Sequence, residues 1–203
     1  MKLQSIRVKS SLPIVLLGVA IIILIAGYSY LINLQKEAID TQSERFLNAV
    51  SVIVNADRDL YQAKVAELHL VTMDKGDQSF LAEHQENADQ VQERFEQYLS
   101  YMSPYPEVLA QFRNFNSAFD AWYSASTAYI NSATSASQNQ MAEQSFSALR
   151  DILDKAGEVA EQTSQSETEK LMDKITGFKA LLMIMIAVVL VVAGWFSYVI
   201  PRQ

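Results

Sequence analysis

Two long, uncharged runs of apolar residues lie near the ends of the chain, and a polar region with helical periodicity separates them. The first run covers 12–32 and the second covers 180–200. About 20 apolar residues, each rising 1.5 Å, cross a hydrocarbon core of roughly 30 Å, so both runs predict transmembrane helices. A buried helix of a soluble protein rarely extends this far without a polar face.

A cleavable signal peptide is the alternative for the first run. Its apolar stretch would be shorter, roughly 7–15 residues, and a cleavage site of small residues would follow. The run instead ends in bulky aromatic residues, Tyr28 and Tyr30. The second run would hold the chain in the membrane in either case, so we expect two spans.

The region between the spans, 33–179, predicts four helices and no strand, because its apolar residues recur at steps of three and four. The predicted helices cover about 33–74, 78–102, 106–131 and 139–179. Three interruptions separate them. They are a turn at 74–77 with Gly76 as a candidate left-handed cap, a proline turn at 103–106, and a polar loop at 132–140.

The lengths of these helices favour one arrangement. The first and last are equally long, roughly 60 Å each at 1.5 Å per residue, and the inner two are roughly 37 Å. The fold class is therefore all-α, an antiparallel up-down four-helix bundle whose first and last helices continue into the two transmembrane helices. The uncovered part of the outer helices favours a parallel homodimer, with a monomeric bundle as the alternative.

Charge orients the chain in the membrane. The formal net charge is −7, and all 23 acidic residues lie between Glu37 and Asp173. The short flanks of the two spans carry only basic charges, at Lys2, Arg7, Lys9 and Arg202. By the positive-inside rule both termini are cytoplasmic, and 33–179 is extracytoplasmic, which means periplasmic in a multi-pass protein of a bacterial inner membrane. Aromatic residues suit the lipid–water interfaces at Tyr28, Tyr30, Trp195, Phe196 and Tyr198.

Composition excludes several functions. An acidic middle lacks the clustered basic residues that a nucleic-acid surface needs. The chain has no cysteine, and its two histidines, His69 and His84, lie on different predicted helices. We find no nucleophile–base arrangement, no metal-ligand spacing and no phosphate loop, so we expect neither enzyme activity nor a cofactor or metal. His84 lies on an apolar stripe and is expected in the core, whereas Asp57 and Asp59 are expected to be solvated.

Three short segments resemble bacterial chemoreceptors, the methyl-accepting chemotaxis proteins. These are SIRVK at 5–9, NADRDLYQA at 55–63 and WFSY at 195–198. The sequence VIPRQ at 199–203 is similar to the start of the connector into a HAMP domain. The resemblance divides the chain into a cytoplasmic N-terminus at 1–11, spans at 12–32 and 180–200, a periplasmic sensor at 33–179, and a connector at 201–203 that leads to missing signalling domains.

The resemblance implies a sensor for a small molecule or a ligand-loaded periplasmic binding protein, coupled through the missing domains to a cytoplasmic kinase. Candidate ligand-binding residues are Arg58, Tyr61, Lys64, Trp122 and Tyr123. Two other interpretations stay open for these residues. The aromatic ones have helical spacing typical of a core. The first and last predicted helices, 33–74 and 139–179, can be aligned side by side because their lengths are equal. This alignment puts Arg58 at the level of Asp154, and Arg150 at the level of Gln62 and Asp59. Arg58 is therefore also a candidate for an ion pair within the domain.

Two other functions stay open. Sensor histidine kinases and membrane-bound cyclic-dinucleotide enzymes resemble chemoreceptors in this part of their chains. A small structural membrane protein is the third alternative.

Overall fold

The backbone is helical almost throughout. The structure, a computed structural model, describes residues 3–73, 76–132 and 135–199, with side chains from residue 14 onward except at 196, 197 and 199. The first helix, α1, covers Leu3–Asp40. Seven residues of π-helix follow at Thr41–Leu47, and α2 covers Asn48–Thr72. The predicted continuous α-helix over 33–74 is therefore helical, but its hydrogen-bond pattern changes in the π-helical segment.

The remaining elements are also helices. Helix α3 covers Gln78–Tyr101, α4 is the single turn Pro106–Leu109, and a 3-10 turn follows at Ala110–Phe112. Helix α5 covers Phe115–Ser132, and α6 covers Ala136–Val199 in 64 residues without interruption. The all-α prediction is confirmed, and no described residue lies in a β-strand.

Two predicted boundaries are wrong. The expected single helix over 106–131 is broken by a turn at Arg113 and Asn114. The expected polar loop at 132–140 is much shorter, because α6 already begins at Ala136. Serine, asparagine and glutamine are poor guides here, since they favour both loops and exposed helical turns.

The starts of two helices follow from their sequences. Asp77 caps α3, because its Oδ1 accepts hydrogen bonds from the backbone N of Ser79 at 2.9 Å and from its Oγ at 2.6 Å. Pro106 opens α4, where a missing N–H costs nothing. Of the predicted turn at 74–77, Asp74 and Lys75 lie outside the described residues.

Contacts divide the chain into two compact units. The helical domain comprises 41–166, and the apolar unit comprises residues up to 40 together with those from 167. In the helical domain, α2, α3, α5 and the first part of α6 share one hydrophobic core. Apolar residues that recur at steps of three and four supply most of its fully buried residues, including Ala56, Leu60, Val91, Phe95, Trp122, Leu149, Leu153 and Ala156.

The apolar unit has its own small cluster. Leu31 and Leu34 of α1 are buried with Ile175 and Leu182 of α6. Among the described residues, two helices are long and apolar enough to cross a membrane. Only 17% and 11% of their apolar windows are buried in the structure, whereas a core helix of a soluble protein is mostly buried.

The predicted interface residues are mostly exposed. The exposed fractions are 65% for Tyr28, 51% for Tyr30, 68% for Trp195 and 58% for Tyr198. The ring of Tyr30 lies 4.9 Å from that of Phe178. The side chain of Phe196 lies outside the described residues. The predicted orientation of the spans and their boundaries with water stay predictions.

Candidate functional site

Five polar residues from four helices meet in the helical domain, four of them buried and the fifth, Glu143, at the surface with its side chain 51% exposed. We call them the polar layer: Lys64 and Glu67 on α2, His84 on α3, Ser126 on α5 and Glu143 on α6. Glu67 and Ser126 are fully buried, and Lys64 and His84 are 7% and 4% exposed. Burying charged groups is costly unless they are paired and hydrogen-bonded. This layer is therefore the most distinctive site in the described helical domain.

The ammonium of Lys64 bridges two carboxylates. Its Nζ lies 2.5 Å from Oε1 of Glu67 and 2.6 Å from Oε1 of Glu143, and it lies 5.8 Å from the ring centre of Phe146. Burial alone would lower the pKa of Lys64, but the hydrogen bonds to Glu143 and Glu67 outweigh it and raise that pKa. Lys64 is therefore charged at neutral pH and ties α2 to α6.

The other half of the layer is a chain of hydrogen bonds. Oγ of Ser126 donates to Oε2 of Glu67 at 2.6 Å, and Nε2 of His84 lies 2.8 Å from the same Oγ. Burial lowers the pKa of His84, so its imidazole is neutral at pH 7. The chain links α2, α5 and α3 through one hydroxyl group.

Aromatic rings flank His84. The ring centres of Trp122 and Tyr123 lie 6.1 Å and 5.7 Å from that of His84. The hydroxyl of Tyr123 donates to Oε1 of Gln85. Nε1 of Trp122 is buried and has no acceptor among the described atoms, which makes it a donor available to a water molecule or another small acceptor.

The structure brings together three of the five predicted ligand-binding residues. Lys64 belongs to the polar layer, and Trp122 and Tyr123 lie beside its histidine. Tyr61 lies close by, since its ring packs edge-on against Phe146 with centres 5.3 Å apart. Phe146 also lies under the Lys64 ammonium.

Arg58 is placed elsewhere. Its side chain is 54% exposed, and its Nη2 lies 2.8 Å from Oδ1 of the adjacent Asp59. The carboxylate of Asp154 lies 3.9 Å from Nη2 of Arg150, so its described ion pair is with Arg150 and not with Arg58. Asp154 is nevertheless near this part of α2, because after burial its charge also helps to raise the pKa of Asp57, the residue before Arg58. Arg58 therefore makes an ion pair in this structure and does not face the polar layer.

The ion-pair partner of Arg150 on α2 is Asp57 and not the predicted neighbour Asp59. Its Nε lies 3.2 Å from Oδ1 of Asp57. Burial raises the pKa of Asp57, and the nearby Arg150 partly offsets that effect. The carboxylates of Asp154 and Asp57 raise the pKa of Arg150, whose guanidinium also lies 5.1 Å from the ring centre of Tyr61.

Sequence reasoning missed the buried acids. Asp59 was expected to be solvated, but it is fully buried and accepts hydrogen bonds from Arg58 and Arg94. Glu67, which was given no role, is fully buried in the polar layer. One signal was available, because Glu67 follows the buried Ala63 by four residues and so continues the core stripe. The prediction that His84 is a core residue is confirmed.

The polar layer joins four helices through ion pairs and hydrogen bonds, and its geometry does not resemble a catalytic triad. In a triad the acid orients the histidine, whereas Glu67 contacts the serine. No group of three potential metal ligands occurs among the residues that the structure describes.

Comparison with protein-family models, with curated proteins and with solved structures finds no match for this chain.

Proposed function

We propose that the chain is the sensor and transmembrane part of a receptor of the chemoreceptor kind. In this proposal α1 and the end of α6 cross a bacterial inner membrane, and both termini are cytoplasmic. The helical domain is periplasmic and is an antiparallel up-down four-helix bundle. A small molecule, or a periplasmic binding protein that carries one, is detected there. The signal reaches kinase-coupling machinery through domains beyond this sequence.

The observation that carries this proposal is the set of polar contacts that α6 makes with α2 and with the π-helical segment before it. Glu143 bonds to Lys64, Arg150 to Asp57, and Oγ of Ser164 donates to Oε1 of Gln42 at 2.7 Å. These contacts recur along the helical domain, so any displacement of α6 along α2 has to exchange them.

Helix α6 provides a route for such a displacement. It contains residues of both the helical domain and the apolar unit in one unbroken helix. A stimulus shifts an equilibrium between two positions of α6 only by its difference in affinity for them. In the proposal, α6 has two positions in which its polar side chains pair with different residues of α2. Moving between these two positions does not expose the hydrophobic core.

A homodimer fits one exposed face of α2 and of the residue just before it. Apolar side chains recur there every seven residues, and all are between 42% and 64% exposed: Leu47 at the end of the π-helix, and Val54, Tyr61 and Leu68 on α2. A seven-residue apolar repeat is typical of a seam between two helices that wind around each other. A second copy of the chain, placed in parallel, puts each of these residues opposite its equivalent.

Thiol chemistry tests the dimer directly, because the chain has no cysteine. We expect single variants Val54→Cys and Leu68→Cys to form disulfide-linked dimers in native membranes. Ser147→Cys and Asp89→Cys, which replace exposed residues on other helices, are the controls and should cross-link much less. Equal cross-linking of all four variants would remove the support for this interface.

Topology and signalling need separate measurements. A membrane-impermeant thiol reagent should label Ser147→Cys from the periplasmic side of intact cells and should label Lys9→Cys only after the membrane is opened. Labelling of Ser147→Cys only in opened cells would refute the proposal. For signalling, disulfide formation in Gln42→Cys/Ser164→Cys should change rate when amino acids or small carboxylates are added. Rates that no such mixture alters would count against movement of α6.

A further inference from the structure

A groove lies between the end of α3 and the interrupted segment before α5. Its volume is about 390 Å³. Three buried aromatic rings line it, those of Phe95, Phe112 and Phe115. Less buried residues complete the lining, namely Leu99, Pro106, Leu109, Ala110, Arg113 and Asn116. None of these residues belongs to the polar layer.

The groove lies where the helix before α5 is interrupted, since Ala110, Phe112 and Arg113 of the interrupted segment line it. The 3-10 turn and the turn at Arg113 and Asn114 change the backbone path next to α3. The rings are held by their mutual packing, because Phe95 stacks on Phe115 at 3.6 Å and meets Phe112 edge-on at 6.1 Å. The apolar surface of the groove is therefore pre-formed.

Charge identifies the kind of ligand. Arg113 is exposed and forms no ion pair with any described residue. Every other described basic residue of the helical domain has an acidic or aromatic partner: Arg45, Arg58, Lys64, Arg94, Arg150 and Lys155. An arginine fork can hold a carboxylate through two parallel hydrogen bonds. The start of α5, two residues later, adds the positive end of a helix dipole.

We propose that this groove binds a small amphipathic carboxylate. The apolar body of the ligand lies against the Phe95, Phe112 and Phe115 rings, and its carboxylate pairs with Arg113. A volume of about 390 Å³ falls within the range of roughly 300–1,000 Å³ that is typical of small-molecule sites. Such a ligand bridges α3 and the start of α5. The site is separate from the proposed sensing function and does not require it.

Calorimetry on the full chain in lipid nanodiscs tests the proposal, with phenylacetate as the probe and its uncharged analogue phenylacetamide as the comparison. We expect phenylacetate to bind at least about tenfold more tightly than the amide, and Arg113→Gln to remove that difference. Lys155→Gln removes one exposed charge elsewhere on the domain and should leave both affinities unchanged. Empty nanodiscs report partition into lipid.

A second variant tests the apolar part of the site. Ala110→Trp should fill the exposed rim of the groove and weaken both probes at least about tenfold, while circular dichroism confirms that the protein is folded. Binding of phenylacetate that is unchanged in folded Arg113→Gln or in folded Ala110→Trp would overturn the proposal. Failure of the wild-type chain to bind phenylacetate at millimolar concentration would also overturn it.

Discussion

Ser126 on α5 donates a hydrogen bond of 2.6 Å to Glu67 on α2, and both residues are fully buried. A serine hydroxyl has one hydrogen, and Glu67 receives it. The contact of 2.8 Å between Ser126 Oγ and His84 Nε2 must therefore be donated by the histidine. Ser126 thus determines which nitrogen of the neutral His84 carries the proton, and one hydroxyl orients groups on three helices.

Replacing Ser126 should destabilise the helical domain. Ser126→Ala leaves a buried carboxylate oxygen of Glu67 and a buried N–H of His84 without their partner. An unsatisfied buried polar group costs about 1–3 kcal/mol, so we expect a loss of about 2 kcal/mol or more in the free energy of unfolding. Denaturant unfolding followed by circular dichroism in detergent measures it. The exposed Ser147→Ala should stay within about 0.5 kcal/mol of wild type, and an equal loss in both variants would contradict the prediction.

Removing the cation of the polar layer should cost more. Lys64→Met keeps an unbranched side chain of similar length, but leaves the fully buried Glu67 without a counter-charge. Breaking a buried ion pair from one side costs about 3–5 kcal/mol. Lys155→Met is the matched control, because the Lys155–Glu158 pair is half-exposed and such pairs contribute only about 0–1 kcal/mol.

A double variant distinguishes the energetic contribution of the Lys64–Glu67 ion pair from the effect of lost packing around Lys64. Adding Glu67→Gln to Lys64→Met removes the unpaired charge, so we expect it to recover part of the stability that the single variant lost. The amide that replaces the Glu67 carboxylate can still accept a hydrogen bond from Ser126. Losses that simply add in the double variant would show that Lys64 and Glu67 do not interact energetically.

The core of the helical domain could be predicted because its residues keep one spacing. Ala56, Leu60 and Ala63 recur at steps of three and four, and all three are fully buried. The hydrogen bonds and ion pairs of the polar layer could not be predicted, although the same spacing puts Glu67 and His84 on the core faces of their helices. Periodicity places such a residue on the core face, but the charge of its partners on other helices decides whether burial is tolerated.

The ion-pair partner of Arg150 could not be predicted from the lengths of the helices. Matching the outer helices put Arg150 level with Gln62 and Asp59, and its guanidinium lies 5.1 Å from the ring centre of Tyr61 but pairs with Asp57. An arginine side chain is long and flexible, so the level of its backbone does not determine which acidic residue it pairs with.

Gly27 permits a close approach inside the apolar unit. A Cβ atom added there would lie 2.6 Å from Cδ2 of Leu182, which is the flexible end of a side chain. We expect Gly27→Ala to be tolerated and Gly27→Val to loosen the packing of α1 on α6, since small residues let membrane helices approach. Thermal unfolding in detergent measures this. Gly18→Val, which meets nothing within 4 Å, is the control, and equal effects at both positions would contradict the prediction.

His84 should make the stability of the helical domain depend on pH. Burial lowers the pKa of His84 in the folded state, while the unfolded chain keeps a value of about 6.5. Between these two values the unfolded state binds more protons. The free energy of unfolding should therefore fall as the pH drops below about 6.5, by at most about 1.4 kcal/mol per pH unit, and level off below the lowered pKa.

The variant His84→Gln isolates this effect, because a glutamine amide can still donate to Ser126 but does not titrate. Its unfolding free energy should change less than that of wild type between about pH 7 and pH 5. Other groups have shifted pKa values, but they are the same in both proteins and cancel in the comparison. The lowered pKa of Asp77 removes stability only in stronger acid, the raised pKa of Asp57 acts in the opposite direction there, and the raised pKa values of Lys64, Tyr98 and Arg150 remove stability only in strong base. His69→Gln, which replaces a histidine 31% exposed, is the control, and a wild-type pH profile that His69→Gln alone flattens would assign the dependence to His69 instead.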